Sequence, residues 1–160
     1  YTIDYADLYR KGYRGVIFDI DNTLVPHGAP ATKEAAAFFA SLRETGFSTC
    51  LLSNNQKPRV APFADAVGSI YIENAHKPSV KNYQEACRRM GIKEEQAVFV
   101  GDQLFTDVYG AKRTGLYNIL AEPIDPKEEI QIVLKRYLEH IVLFFYERDL
   151  ARGRITKKNS

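Results

Sequence analysis

The sequence has few cysteines and little net charge, and both shortages limit what the protein can be. Cys50 and Cys87 are the two cysteines among 160 residues, and they form no Cys-x-x-Cys motif. We therefore expect two buried free thiols, with no disulfide and no catalytic thiol. A formal charge of +2 is too small to neutralise many phosphates, which argues against nucleic acid as a partner.

Long apolar runs, internal repeats and low-complexity segments are also missing. A membrane-spanning helix needs about 20 consecutive apolar residues, and the run Ile141–Tyr146 is far too short. We therefore expect a cytoplasmic protein. The chain begins at Tyr1 and not at a methionine, which leaves open residues, or a targeting signal, upstream.

What is present is an ordinary globular composition, 45% hydrophobic and 26% charged, in a chain that suits one domain over residues 1–160. Strand-like and helical segments alternate, as in an α/β protein with a parallel sheet covered by helices on both faces. Pro62 should keep the third helix short or kinked. Strands are predicted at 16–20, 47–52, 69–72, 97–100 and 117–120, and helices at 4–11, 32–45, from about 57, at 79–90 and at 107–114.

The C-terminal part is predicted as a long helix followed by a basic tail. Asp125 and Pro126 suit an N-cap and a first helical residue, and the helix should run over about 126–150. One apolar stripe of this helix should pack on the sheet. A second apolar patch and the tail 151–160 could rest on an anionic membrane. A solvated tail, or a contact with the N-terminal helix or another subunit, is the alternative, so a homodimer stays open.

Two aspartates directly after the first long apolar run carry the most information. Asp19 and Asp21 lie where the predicted strand ends and the chain turns. There both carboxylates can reach one site, whereas within a strand they would usually alternate between its faces. One carboxylate could attack an electrophile while the other handles its proton, and a hard cation could neutralise the group between them.

Three further polar motifs follow in order, each after an apolar strand. They are Ser53-Asn54-Asn55, His76-Lys77-Pro78 and Gly101-Asp102 through Asp107. Each motif alone is common as a turn, a helix cap or an exposed loop. Because the carboxyl ends of parallel strands meet at one rim of a doubly wound sheet, the ordered set predicts a phosphoryl-transfer site there.

This set resembles the four motifs of the haloacid dehalogenase superfamily of aspartate-nucleophile phosphatases, subfamily IIIA, over roughly residues 13–121. The resemblance implies a doubly wound, Rossmann-like parallel sheet flanked by helices. It also implies that Asp19 attacks phosphorus and forms an aspartyl-phosphate, and that Asp21 acts first as an acid and then as a base. Lys77 would neutralise the charge of the nucleophile and the phosphate.

The resemblance further implies a Mg²⁺ cofactor. Its ligands would be the Asp19 carboxylate, the backbone carbonyl of Asp21, the Asp102 carboxylate and water, a small protein set of the kind magnesium prefers. Asn22 stands where many family phosphatases carry glycine. Asparagine also tolerates the left-handed conformation, so the turn can survive.

The phosphate of a phosphorylated substrate would be held near the second motif. Ser53, Asn54 and Lys77, with backbone amides nearby, are the residues that the resemblance assigns to it. Thr23 and Asp107 would support the site, Asp107 by orienting Lys77 or a metal-bound water.

The spacing of the motifs leaves no room for an inserted cap domain. Only residues 25–31 separate the first motif from the next helix, and a helix and a short strand fill the space between Ser53 and Lys77. This looks like a capless member whose open site suits a bulky or surface-bound substrate. The motifs also look like the bacterial YqeG-type subgroup, which is similar to mitochondrial phosphatidylglycerophosphate phosphatases. A lipid phosphate monoester is the substrate that this resemblance implies.

Two other classes of function stay open. A receiver-like signalling module also places an aspartate near Mg²⁺, although Asp21 supplies acid–base chemistry that favours turnover. A catalytically weak phosphate-binding or scaffold protein could retain the same fold, although the intact motif set argues against it. Turnover of a generic aryl phosphate separates the enzyme from both.

Overall fold

Five parallel strands form the centre of the protein in the computed structural model, which describes residues 3–125. They are β1 (Gly15–Phe18), β2 (Ser48–Leu52), β3 (Ile70–Ile72), β4 (Ala97–Gly101) and β5 (Tyr117–Leu120). Their order across the sheet is β3-β2-β1-β4-β5. The chain therefore builds outward from β1 in one direction and then reverses, which puts the topological switch point between β1 and β4.

Five α-helices of the described region cover both faces of this sheet. One face carries α1 (Tyr5–Arg10), α2 (Lys33–Thr45) and α3 (Lys57–Val67), and the other carries α4 (Val80–Met90) and α5 (Tyr109–Thr114). The alternation within β1 decides the partners. Val16 and Phe18 pack with the first three helices, whereas Ile17 packs with the last two. The predicted α/β fold is confirmed.

Helix ends follow the capping signals of the sequence. The Asp4 and Thr32 side chains accept hydrogen bonds from backbone N–H groups in the first turns of α1 and α2. Gly46 and Gly91 close α2 and α4 in the left-handed conformation. Local sequence therefore sets where these elements begin and end.

Both cysteines are free and buried, as expected. Cys50 lies in β2 and Cys87 in α4, within the same apolar cluster. Burial raises the pKa of each thiol to about 12. At neutral pH these side chains are therefore protonated packing groups and not nucleophiles.

Most predicted bounds lie within one residue of the observed ones, and the end of β1 and the start of α5 differ more. β1 ends at Phe18 and not at Ile20, because the turn that carries the aspartates begins there. α3 continues through Pro62 for 11 residues, since the carbonyl that loses its partner belongs to Pro58 in the first turn. The predicted helix at 107–114 is preceded and overlapped by a wide π-helical turn, Leu104–Val108, before α5 begins.

Some predictions fall on residues outside the described part. The compact unit that contains the sheet ends at Ile124, so the helix at 126–150, the basic tail and their membrane contact stay predictions, as does the single domain over 1–160. Among the described helices, none has the length and apolar character needed to cross a bilayer.

Candidate active site

The polar motifs meet at the carboxyl ends of three neighbouring strands. Asp19 follows β1, Ser53 follows β2 and Asp102 follows β4, and the pairing of β1 with both other strands holds these ends side by side. All three side chains are buried although they are polar. A buried polar cluster of this kind is costly unless its members are paired with one another or with a ligand.

Lys77 joins two of the carboxylates. Its Nζ lies 2.8 Å from Asp19 Oδ1 and 2.7 Å from Asp107 Oδ1. Burial lowers the pKa of this lysine, but the charges and hydrogen bonds of Asp107 and Asp19 outweigh burial and raise the pKa above its usual value. Lys77 is therefore a fixed positive charge beside the predicted nucleophile.

Asp107 lies beneath the end of β4, where only a glycine leaves room. Its second carboxylate oxygen accepts the backbone N–H of Gln103 at 3.1 Å. A Cβ at Gly101 would lie 2.7 Å from the carboxyl carbon of Asp107 and 2.8 Å from its Cβ. The glycine of the fourth motif thus permits the close approach that puts Asp107 on Lys77.

We expect Gly101→Ala to lower specific activity as well as stability. The new methyl group must push Asp107 away from Lys77, at a cost of about 1–3 kcal/mol for overpacking. Gly15→Ala is the matched control on the adjacent strand, because its methyl group would meet the side chains of Ile92 and Met90, far from the site residues. Thermal unfolding and turnover should show a stability loss in both variants but an additional activity loss only in Gly101→Ala. Equal activity per folded molecule would contradict this role of Gly101.

Asp102 has one satisfied oxygen and one that is not. Oδ1 accepts a hydrogen bond from the Thr23 hydroxyl at 2.8 Å. Within the described residues, Oδ2 is buried and has no hydrogen-bond partner. Burial raises the pKa of this carboxyl, although Thr23 opposes the shift. A buried acceptor without a donor is rare in proteins, so Oδ2 is available to a bound cation.

The carboxylates around that oxygen form a set that fits a divalent cation. Oxygen atoms of Asp19, Asp102 and Asp107 lie within 4.8 Å of one another, and within residues 3–125 Lys77 is the one cation paired with them. Burial raises the pKa of Asp19; Lys77 opposes the shift, and Asp107 and Asp102 add to it. Because Asp107 has donors on both oxygens, Asp19 and Asp102 are the carboxylates available to hold an ion such as Mg²⁺.

Asp21 lies at the same mouth but in a different network. Its Oδ1 accepts from the backbone N–H of Gly28 at 2.8 Å and from Arg59, whose Nη2 and Nε lie 2.8 and 3.3 Å away. Its Oδ2 accepts from the Asn55 amide at 2.6 Å. His27, half exposed in the same loop, has its Nδ1 4.0 Å from Asp21 Oδ1. The carboxylate is therefore held by three neighbouring groups.

The turn that carries Asp21 has the backbone expected for Asn22. Its φ of 66° is left-handed, and its N–H donates to the carbonyl of Val25 at 2.8 Å. Asparagine adopts this conformation at lower cost than most residues. The departure from glycine at this position therefore leaves the turn intact.

The second motif combines a hydroxyl with a structural amide. Ser53 Oγ accepts the backbone N–H of Asn55 at 3.1 Å, which leaves the hydroxyl proton for donation. The Asn54 side chain instead spans the backbone of Lys77, accepting its N–H at 2.7 Å and donating to its carbonyl at 3.4 Å. The Asn54 side chain thus holds the backbone of Lys77 in place. The predicted contact of Asn54 with phosphate therefore falls to the backbone N–H of Asn54.

These contacts join Asp19, Lys77 and Asp107, link Thr23 to Asp102, and place Asp21 beside Asn55. Asn55 and Arg59 were not assigned roles, and both contact Asp21. Asn55 belongs to the motif Ser53-Asn54-Asn55, so the sequence already indicated that it lies near the site. Arg59 lies in the first turn of α3, where the sequence Lys57-Pro58-Arg59 resembles any helix start.

The mouth of the site is not covered by an inserted domain in the described region. A loop links Val25 to α2, and α3 and β3 are the only helix and strand between β2 and Lys77. Two large apolar side chains within the fourth motif face solvent, Leu104 at 61% and Phe105 at 80% exposure. Within residues 3–125, no inserted domain covers the site, and the fourth motif exposes two large apolar side chains.

The sequence model of the haloacid dehalogenase-like hydrolase family matches residues 28–115, more than half of the chain. The chain therefore belongs to this family of hydrolases and is an enzyme of the kind that the motifs predict. The probable phosphatase YqeG of Bacillus subtilis is 35% identical over 142 residues, which cover 88% of this chain and 83% of that protein.

A second relative is much longer than this chain. Phosphatidylglycerophosphate phosphatase 1 of Arabidopsis thaliana, chloroplastic/mitochondrial, is 29% identical over 161 residues, which cover 94% of this chain but 46% of that protein. The chain thus spans less than half of this relative. Both names describe phosphatases, which confirms the predicted class of enzyme.

Two solved structures share the fold. An uncharacterized protein from Corynebacterium glutamicum has a TM-score of 0.58 at 24% identity, over 76% of this chain and 93% of that one. A haloacid dehalogenase-family phosphatase from Thermococcus onnurineus has a TM-score of 0.54 at 18% identity, over 67% and 85%. These similarities confirm the predicted family fold.

Proposed function

We propose that this phosphatase is a Mg²⁺-dependent phosphomonoester hydrolase that forms an aspartyl-phosphate on Asp19. The observation that carries the proposal is the surroundings of Asp19. Its carboxylate lies 2.8 Å from Lys77 Nζ and beside Asp102, whose Oδ2 has no hydrogen-bond partner within residues 3–125. A nucleophilic carboxylate must be ionised. Lys77 on one side and a bound cation on the other would together favour that charged form.

The chemistry then divides between the two aspartates. An Asp19 oxygen forms a bond to phosphorus, the ester P–O bond breaks, and Asp21 gives its proton to the departing oxygen. Asp21 next takes a proton from water, whose oxygen attacks phosphorus and releases Asp19 and inorganic phosphate. Two displacements with one acid–base group return the enzyme to its starting state.

In this proposal, residues of the second motif bind the oxygen atoms of the phosphate. The Ser53 hydroxyl and the backbone N–H of Asn54 donate to phosphate oxygens, while Lys77 neutralises their charge. Asp19 and Asp102, with the backbone carbonyl of Asp21, hold Mg²⁺, which supplies charge neutralisation for the phosphoryl group.

A lipid phosphate is the substrate class that we infer. The open mouth and the exposed Leu104 and Phe105 suit a substrate with an apolar portion or one presented at a membrane surface. The Arabidopsis relative, whose name specifies phosphatidylglycerophosphate, supports the same class. A scaffold role would require no such reactive cluster.

A substrate panel tests this function. Purified protein with Mg²⁺ should hydrolyse an aryl phosphate, and it should hydrolyse phosphatidylglycerophosphate in mixed micelles with a kcat/KM well above that for small sugar phosphates. The expected reason is that no inserted domain encloses a small substrate. Phosphate release is the measurement, and heat-unfolded protein is the control. Absence of turnover on every substrate would favour the scaffold alternative, whereas strong selectivity for a small sugar phosphate would overturn the lipid proposal alone.

A further inference from the structure

Arg59 is hydrogen-bonded to Asp21, the residue that protonates the leaving oxygen under the proposed function. Its guanidinium contacts Asp21, and under the proposed function the ester oxygen has to reach Asp21 to receive a proton. Whatever is attached to that oxygen therefore comes within a few ångströms of a positive charge. We propose that Arg59 forms a subsite for a second anion on the leaving group, a phosphodiester a few atoms from the ester oxygen. This inference rests on the proposed function and deepens it.

The geometry of the contact between Arg59 and Asp21 allows Arg59 to leave Asp21 and bind another anion. Nε and Nη2 both point to the same oxygen, Asp21 Oδ1, and not across the two oxygens of the carboxylate. The bidentate fork that makes arginine–carboxylate pairs strong is therefore not formed. Asp21 keeps Gly28 on Oδ1 and Asn55 on Oδ2 when Arg59 moves away, so the carboxylate stays in place.

Arg59 also has the reach and the free donors that an anion site needs. Its side chain is 21% exposed, and its guanidinium carbon lies 5.5 Å from the centre of the Phe63 ring, which supports the planar group from below. Within residues 3–125, its guanidinium donates hydrogen bonds only to Asp21. Arginine matches the geometry of phosphate oxygens better than lysine does.

The buried Lys77 cannot serve this purpose. Lys77 is paired with Asp19 and Asp107, and its side chain is only 3% exposed. It lies on the nucleophile side of the cluster, whereas Arg59 lies on the side of Asp21. The two cations therefore divide the substrate, Lys77 with the phosphoryl group that is transferred and Arg59 with the group that leaves.

A soluble pair of substrates separates this charge from any lipid effect. Glycerophosphoglycerol phosphate carries a phosphodiester on its leaving group, and glycerol 3-phosphate does not. Wild-type kcat/KM should favour the first substrate by about tenfold to hundredfold, the effect expected for a hydrogen-bonded charge. The preference should appear mainly in KM. A wild-type ratio near one would overturn the proposal without the need for any variant.

Variants then assign the preference to Arg59. Arg59→Met should bring the ratio down to about threefold or less, and Arg59→Lys should retain part of it. Arg88→Met, in which an exposed arginine on α4 is removed from its pair with Glu85, should keep the wild-type ratio. Thermal unfolding checks that each variant is folded, and phosphatidylglycerophosphate in micelles checks that the lipid follows the same order.

A different result is expected if Arg59 only positions Asp21 and binds no second anion. If Arg59→Met lowers kcat for both substrates by the same factor, the arginine only orients Asp21 and the subsite does not exist. If the wild-type protein hydrolyses neither substrate nor an aryl phosphate, the proposed function fails instead.

Discussion

Asp19→Asn should remove phosphatase turnover by a factor of at least about 10⁴ while the protein stays folded. The amide is nearly isosteric with the carboxylate but is a poor nucleophile, so no aspartyl-phosphate can form. Lys77 keeps its second partner, Asp107, and remains charged. Because burial works against the charged form of Asp19, loss of that charge should not lower the unfolding temperature by much.

The measurements are phosphate release from an aryl phosphate and thermal unfolding of the same samples. Asp65→Asn provides the matched control, since Asp65 is an exposed aspartate on α3. Quenched reactions add a direct readout, because hydroxylamine should convert the aspartyl-phosphate of the wild-type protein to an aspartyl hydroxamate with release of phosphate. No hydroxamate should form in Asp19→Asn. Near-normal turnover by the asparagine variant would refute the assignment of the nucleophile.

The aspartates, the serine and the lysine were predictable because their motifs follow strands in a fixed order. In a parallel sheet, strand order converts such spacing into proximity, which is why Asp19 and Asp102 could be placed together without coordinates. The contact between Lys77 and Asp107, at 2.7 Å, was one of two predicted possibilities; the other, a contact with a metal-bound water, stays a prediction. Their chemical roles remain proposals.

Arg59 could not be placed in the same way. Nothing local distinguishes an arginine in the first turn of α3 from a solvated one, and its partner lies 38 residues earlier in the chain. The side chain of Asn54 was also beyond prediction, because an amide beside a phosphate-binding loop can face either the ligand or the backbone. In both cases, tertiary contacts decide.

The π-helical turn at Leu104–Val108 illustrates a third limit. Sequence patterns register apolar periodicity, but a wide turn depends on hydrogen bonds that the surroundings enforce. Here the Asp107 carboxylate accepts from the N–H of Gln103 and holds the turn against the end of β4. The prediction of a helix at 107–114 was therefore correct for Tyr109–Thr114, and it was wrong at the start, where the π-helical turn lies.

Removal of divalent metal should abolish activity, and Mg²⁺ should restore it. The expected ligands include Asp102, whose buried Oδ2 lacks a hydrogen-bond partner within the described residues. Mg²⁺ should therefore also stabilise the folded protein, by about 2.7 kcal/mol when its concentration is 100 times Kd. Calcium should substitute poorly, because its larger and more flexible coordination shell changes the attack geometry. Full turnover after exhaustive chelation would point to a different mechanism.

Asp102→Ala separates the metal site from simple packing. The substitution removes one of three crowded carboxylates. Without metal, the unfolding temperature of the variant should therefore lie at most a few degrees below that of wild type. Mg²⁺ should no longer raise the unfolding temperature of the variant. Asp102→Asn keeps an acceptor for Thr23 and should show an intermediate response, while Asp65→Ala should respond as wild type does. If Mg²⁺ stabilises Asp102→Ala as much as wild type, Asp102 is not a ligand. Its unpartnered oxygen would then need another explanation, because a buried carboxylate oxygen without a donor is unfavourable in any folded protein.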